Sequence, residues 1–187
     1  MNYKTIVSTI LVSSLLLGAC GANESKDTPK TKSETTAKTA EKEEKKVENN
    51  GLKDNTAVLN DIDVKVLDTE FVPKNTYDAQ DKDLLIIKYE VKNKTNKEID
   101  PLSGWMAAFT PTQESKNGIH KLEVGMMPFE DKYKDAMKYQ SDIIKKDGTI
   151  KNSVAYSLED TKTPVVLKAT KGIGGEKLGE IKVNLKK

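Results

Sequence analysis

Hydrophobic and polar positions along this chain fall into three regimes. Thr5 to Leu17 is an uncharged, mostly apolar run of 13 residues. From Gly21 to about Asn55 large apolar residues nearly vanish. From Thr56 to Lys187 apolar and polar residues alternate with period two, which predicts half-buried strands. Ile62, Val64 and Val66 alternate with Asp61, Asp63 and Lys65. Asp83–Asn93 puts Leu85, Ile87, Tyr89 and Val91 on one face, and its extra Leu84 and Ile86 predict a first half covered on both sides. Val154, Tyr156 and Leu158 share a face, as do Val165, Leu167 and Ala169, and then Ile181, Val183 and Leu185. Turn chemistry separates these runs at Pro73-Lys74-Asn75, Asn93 to Asn96, Asn117-Gly118, Asp147-Gly148, Thr163-Pro164 and Gly172 to Gly175.

Two stretches depart from that rhythm. Ser103–Pro111 reads as a strand with Trp105, Ala107 and Phe109 inward. Pro128–Gln140 carries Phe129, Tyr133 and Met137 at helical spacing and predicts a short amphipathic helix laid across one open end of the domain. Short alternating strands with turns between them predict an all-β, antiparallel sandwich with a helical insert. The expected organisation is a signal segment over 1–19, a linker over 20–55 and one β-domain over 56–187. About 130 residues suffice for a single core.

The apolar run sharpens the first boundary. Thirteen helical residues reach about 20 Å, against a hydrocarbon core of about 30 Å. That is too short to span a bilayer and suits the h-region of a secretory signal, with Lys4 and the amine supplying the positive flank. Leu17, Gly18 and Ala19 then precede Cys20, the one cysteine of the chain. The sequence resembles the lipobox of bacterial lipoproteins, Leu-(Ala/Ser/Gly)-(Gly/Ala)-Cys. The resemblance implies cleavage before Cys20, thioether lipidation of that residue, and a membrane anchor on the outer face. Two or three acyl chains hold firmly where one does not, because each buried CH2 contributes about 0.8 kcal/mol.

Composition then narrows the linker and the partners. The tract from Ser25 to Gly51 is Lys, Glu, Thr, Ser and Ala with one proline, too poor in apolar surface to offset its ordering entropy, so it reads as a disordered spacer. About 35 residues of coil span roughly 30–35 Å r.m.s.. The chain holds 31 basic and 29 acidic residues. That balance announces no polyanionic partner, and nucleic acid is not expected.

Candidate chemistry is sparse. His120 is the single histidine, and no nucleophile-elbow pattern accompanies it, so an envelope hydrolase is the least supported reading. Met106, His120, Met126, Met127 and Met137 lie in one third of the domain, and soft thioethers with an imidazole suit Cu(I), which makes an exported copper or small-molecule carrier an alternative. Tyr133 and Tyr139, in the polar insert, are candidates for partner contact. Trp105 reads as a core plug, and Asp160 as the cap of the turn before Pro164. No cofactor is expected.

Three ordered motifs carry a wider resemblance. They are Tyr89 with Asn93; Lys116-Asn117-Gly118 with Leu122; and Gly148, Val154-Ala155-Tyr156, Leu158, Asp160 and Pro164. Over about residues 58–186 the chain is similar to a domain of unknown function found in Gram-positive lipoproteins. The resemblance implies an immunoglobulin-like β-sandwich, related to small secreted mycobacterial antigens of that fold. It implies no activity. The expectation is a monomeric, non-enzymatic surface lipoprotein that binds a protein or small ligand, with His120, Met126, Met127, Tyr133 and Tyr139 as candidate contacts.

Overall fold

The structure is a computed structural model that describes residues 50–185. The signal segment, Cys20 and the spacer up to residue 49 lie outside the described residues, as does the side chain of Met137. The described strands are β1 (Gly51–Lys53), β2 (Thr56–Val58), β3 (Ile62–Val72), β4 (Leu84–Asn93), β5 (Phe109–Glu114), β6 (Ile119–Lys121), β7 (Thr149–Ser157), β8 (Val165–Thr170) and β9 (Lys177–Val183). Two helices interrupt them, α1 (Pro101–Ala108) and α2 (Lys134–Tyr139), the second preceded by a 3-10 turn over Asp131–Tyr133. The first strand begins at Gly51, five residues ahead of the Thr56 boundary read from the sequence.

Strand pairing yields two antiparallel sheets, ordered β1-β2-β3-β4-β7 and β6-β5-β8-β9. The fold is an all-β sandwich. Its main core joins Val64, Tyr89, Val91, Val154 and Tyr156 from one sheet to Phe109, Val165, Leu167 and Ala169 from the other. Trp105 fills the centre, fully buried, with ring centroids 4.7 Å from Tyr89 and 4.9 Å from Phe109. Its indole N–H donates to the Tyr156 hydroxyl at 2.9 Å. The Asn152 amide donates to the Tyr89 hydroxyl at 3.0 Å. Burial pushes both tyrosines above the usual phenol range.

Trp105 plugs the core from a helix, not from a strand. Asp100 caps α1 by accepting from the Ser103 backbone N–H at 2.8 Å, and Pro101 occupies the first turn, where its missing N–H costs nothing. The strand starts only at Phe109. Gly104 lets the helix lie against β4, since a Cβ there would stand 2.8 Å from Val91 Cγ1.

A bulge in β3 prepares the outer face of the five-stranded sheet. Continued alternation from Ile62 would turn Asp68 and Glu70 inward. Instead the register slips between Val66 and Asp68. Beyond the slip Phe71 packs on the main core while Val72 turns outward. Val72, Leu84, Ile86 and Ala155 form a second apolar cluster, and Tyr133 of the insert buries against them. The two-sided cover expected over Leu84 and Ile86 is present. The insert therefore lies on the outer sheet face, not across an open end. Its helix is shorter than 128–140, and the buried positions are Tyr133 and Ala136, while Phe129 is 77% exposed.

Candidate functional site

Two segments build a pocket of about 230 Å3 at the Val72 end of the β3–β4 hairpin. The first is the loop joining β3 to β4. Its conformation is set by one side chain, Gln80, whose amide donates to the carbonyls of Pro73 and Lys82 at 2.9 Å each. The Gln80 side-chain carbonyl accepts from the Tyr77 N–H at 3.2 Å. Lys74 N–H donates to the Asp83 carboxylate at 3.0 Å, closing the loop base. Asn75 and Ala79 both adopt φ +60°, which asparagine tolerates and alanine does not favour.

The second segment crosses over β7. Ser157 N–H donates to the Glu123 carbonyl at 3.0 Å, and Gly125 N–H to Ala155 at 2.9 Å, so this stretch adds a short extra rung to the β7 edge. A Cβ on Gly125 would stand 2.9 Å from Leu84 Cδ2. Past that close approach the chain carries Met126, Met127 and Phe129 over the pocket. Met126 is 69% exposed on its rim, and Met127 is half-buried against the second cluster. Tyr77, Gln80, Leu84 and Ser157 complete the walls.

One cation ties the insert to both neighbours. Lys132 donates to Glu70 at 2.7 Å, lies 4.7 Å from the Tyr133 ring centroid and 6.0 Å from that of Tyr77. Partial burial would raise the Glu70 carboxyl, but the hydrogen bond from Lys132 and its charge outweigh it and hold the group below the usual range. Pairing with Glu70 and Tyr133 holds the Lys132 ammonium above its ordinary value. Burial pushes the Tyr133 hydroxyl up to about 12, although Lys132 opposes that rise. Met127 of the pocket and Tyr133 of the latch share the second apolar cluster, so pocket and latch rest on the same sheet surface.

The residues singled out from the sequence divide between separate places. Met126 and Met127 line the pocket. Tyr133 is buried at 1% exposure beneath the insert, so it anchors the site instead of offering itself to a partner. Tyr139 is 37% exposed at the end of α2, with the Lys138 ammonium 4.8 Å from its ring. His120 is exposed on edge strand β6, opposite Gln113, and is not among the residues lining the pocket. Met106 is exposed on α1. Met106, His120 and the Met126–Met127 pair thus sit on three different segments, and Met137 belongs to a fourth, α2. Among the described residues there is no group of three or more His, Cys, Asp or Glu placed to hold a metal ion. Gln80, Tyr77 and Lys132 were not legible as site residues, because they act through backbone carbonyls and ring faces brought together by the bulge and the crossing segment.

Residues 24–171 match the family model DUF5067, described as a domain of unknown function. The chain belongs to the DUF5067 family. A solved structure of a candidate lipoprotein from Staphylococcus aureus subsp. aureus NCTC 8325 superposes with a TM-score of 0.63 at 23% identity, covering 72% of this chain and 90% of that one. A solution structure of a protein from Enterococcus faecalis superposes with a TM-score of 0.58 at 14% identity, covering 73% and 93%. At those identities the two structures show that the DUF5067 sandwich is shared as a fold. No curated protein matches the chain. Among the described residues no helix is long and apolar enough to cross a membrane.

Proposed function

We propose that the chain is a monomeric, lipid-anchored surface protein whose DUF5067 domain binds a protein or small ligand and performs no catalysis. The anchor is Cys20, placed on the outer membrane face by the lipobox. The immunoglobulin-like assignment is supported by the strand order: β3, β4 and β7 stand as the A, B and E strands, and β6-β5-β8-β9 as C′-C-F-G, with β1–β2 an added hairpin.

The observation that carries the binding role is the pocket under Met126 and Phe129. Two large apolar side chains, 69% and 77% exposed, flank a concavity walled by Gln80, which bonds the loop carbonyls, and by Tyr77, whose ring lies 6.0 Å from the Lys132 ammonium. Methionine adapts its shape to varied apolar partners, and a phenylalanine beside a preformed hollow is an anchor for a ligand with an apolar or aromatic group. The chain enters the domain at the other end of the hairpin, where Gly51 pairs with Val58. The pocket therefore lies at the opposite end of the hairpin from Gly51.

Photocrosslinking on intact cells tests this. A benzophenone amino acid at Phe129 should give a discrete covalent product, and the same probe at Ile119 on β6 should not. Equal products from both positions, or none from Phe129, would count against the pocket as the binding surface.

A further inference from the structure

A second concavity, of about 450 Å3, lies at the Gly51 end of the sandwich and differs in character from the first. Its walls are Leu59 and Ile62 before and at the start of β3, Ile99 in the β4–α1 link, and Gly104 and Ala107 on α1. Lys171 and Gly172, at the base of the β8–β9 loop, form the remaining side. That size and a lining whose surface is mostly apolar fit a preformed ligand site.

The walls are pinned. Asn93, fully buried, donates its amide hydrogens to the carbonyls of Lys97 and Ile144 at 2.8 Å each. Ile144 N–H in turn donates to Ile99 at 2.9 Å. On the opposite wall Lys94 donates to the Leu59 carbonyl and to the Asp63 carboxylate at 2.7 Å, and Lys97 pairs with Asp61 at 2.6 Å. Beside the mouth the β8–β9 loop turns through two glycines, at φ +81° and +69°, and presents Ile173 between them at 85% exposure.

Three observations bear on what enters. The chain reaches the domain beside this mouth, because Gly51 pairs with Val58 and the next residue, Leu59, is a wall. The proposed anchor at Cys20 joins the domain through this end, since the chain enters the fold at Gly51. The lining carries Asp61, Glu98 and Asp100 against Lys97 and Lys171, an acidic excess that disfavours a bound carboxylate.

We propose that this pocket takes an acyl chain of a bilayer glycerolipid, with Ile173 dipping into the interface beside it. The chain's apolar tail is held by Leu59, Ile62, Ile99 and Ala107, and its uncharged ester end stays at the mouth. The proposal rests on the membrane-anchored reading for its lipid source. It does not depend on the Met126–Phe129 pocket.

The test uses full-length protein purified from membranes of expressing cells and exposed to vesicles of phosphatidylcholine bearing a photoreactive group in one acyl chain. After irradiation, mapping should place adducts on residues 59–62, 97–107 and 171–173. Ala107→Trp, which fills the cavity, should abolish the adducts on 59–62 and 97–107. Ile173→Ser, at an exposed loop tip, should reduce all of them without altering the fold. Adducts absent from these residues, or unchanged in both variants, overturn the proposal. Equal labelling by a dispersed photoreactive fatty acid overturns the bilayer source and the charge argument. Flotation with the vesicles separates the two readings: protein that fails to float contradicts anchoring at Cys20, whereas adduct positions report on the pocket whether or not it floats.

Discussion

Replacing Lys132 by methionine keeps the aliphatic stem and removes only the charge. In the folded protein that charge pairs with Glu70 and stands over two tyrosine rings. The ion pair is half-exposed, so it contributes about 0.2–1 kcal/mol. The ring contacts contribute about 0.5–1 kcal/mol at such a site. Lys132→Met should therefore weaken the docking of the insert by about 1–2 kcal/mol. Most of that should appear as local opening, because the insert is held by Tyr133 and Ala136 while the sheets have their own cores. Hydrogen exchange is the assay: amides of 133–139 should lose protection about 5–30-fold, the factor that 1–2 kcal/mol implies, while those of β4 and β8 keep theirs. The pH dependence has a defined sign. Glu70 is lowered, so its contribution is whole above the ordinary glutamate value of about 4.3 and is lost as pH falls below it. Lys132 is raised, so its contribution is whole below about pH 10 and is lost above. The difference between the two proteins should then be largest between about pH 5 and 10 and shrink on the acid side. Unchanged exchange at 133–139, or a loss spread evenly over both sheets, would refute the latch.

Other sites yield direct tests. Gln113 is buried and its amide serves the carbonyls of Asp160 and Thr163 and the N–H of Glu159, so Gln113→Ala should cost about 2–4 kcal/mol in urea unfolding by stranding three backbone groups of the β7–β8 loop. A cost below about 1 kcal/mol would mean water replaces the amide at no loss. Gly104→Ala should destabilise by about 1–3 kcal/mol despite better helix propensity, and Val91→Ala in the same chain should recover part of it; additive losses would contradict the close approach of α1 to β4. Ala79→Gly should stabilise by about 0.5 kcal/mol, because φ +60° is open to glycine, and an unfolding midpoint moved the other way would contradict that backbone.

The strands were legible because their apolar residues repeat every second position and their turns carry Asn, Asp, Gly and Pro. Leu84 and Ile86 even revealed that β4 is buried on both faces, and Asp160 holds its turn as expected, accepting from the Lys162 and Thr163 N–H groups at 2.6 Å. Trp105 was placed in the core correctly but on the wrong element. The apolar content of Trp105 to Phe109 outweighed a helix start that the chain does spell, Asp100-Pro101 followed by Ser103. The phase break after Val66 was likewise written in Leu67-Asp68, where alternation fails, yet its consequence, Glu70 turned out to meet Lys132, depends on a segment more than 60 residues later. Sequence proximity gathered Met126 with His120, and strand topology parted them, since β6 ends before the crossing segment turns back along β7. Gln80 leaves no pattern at all, because a side chain that organises a loop by bonding carbonyls requires only an amide in the right place.

The claim that the domain is displayed on a lipid anchor meets its most direct test at Cys20. Protein taken from the membrane fraction of expressing cells can be digested and its N-terminal peptide weighed. A lipid-anchored protein yields a peptide that begins at Cys20 and carries a diacylglyceryl thioether. Membrane-retained protein with an unmodified Cys20 thiol, still preceded by residues 1–19, would contradict it.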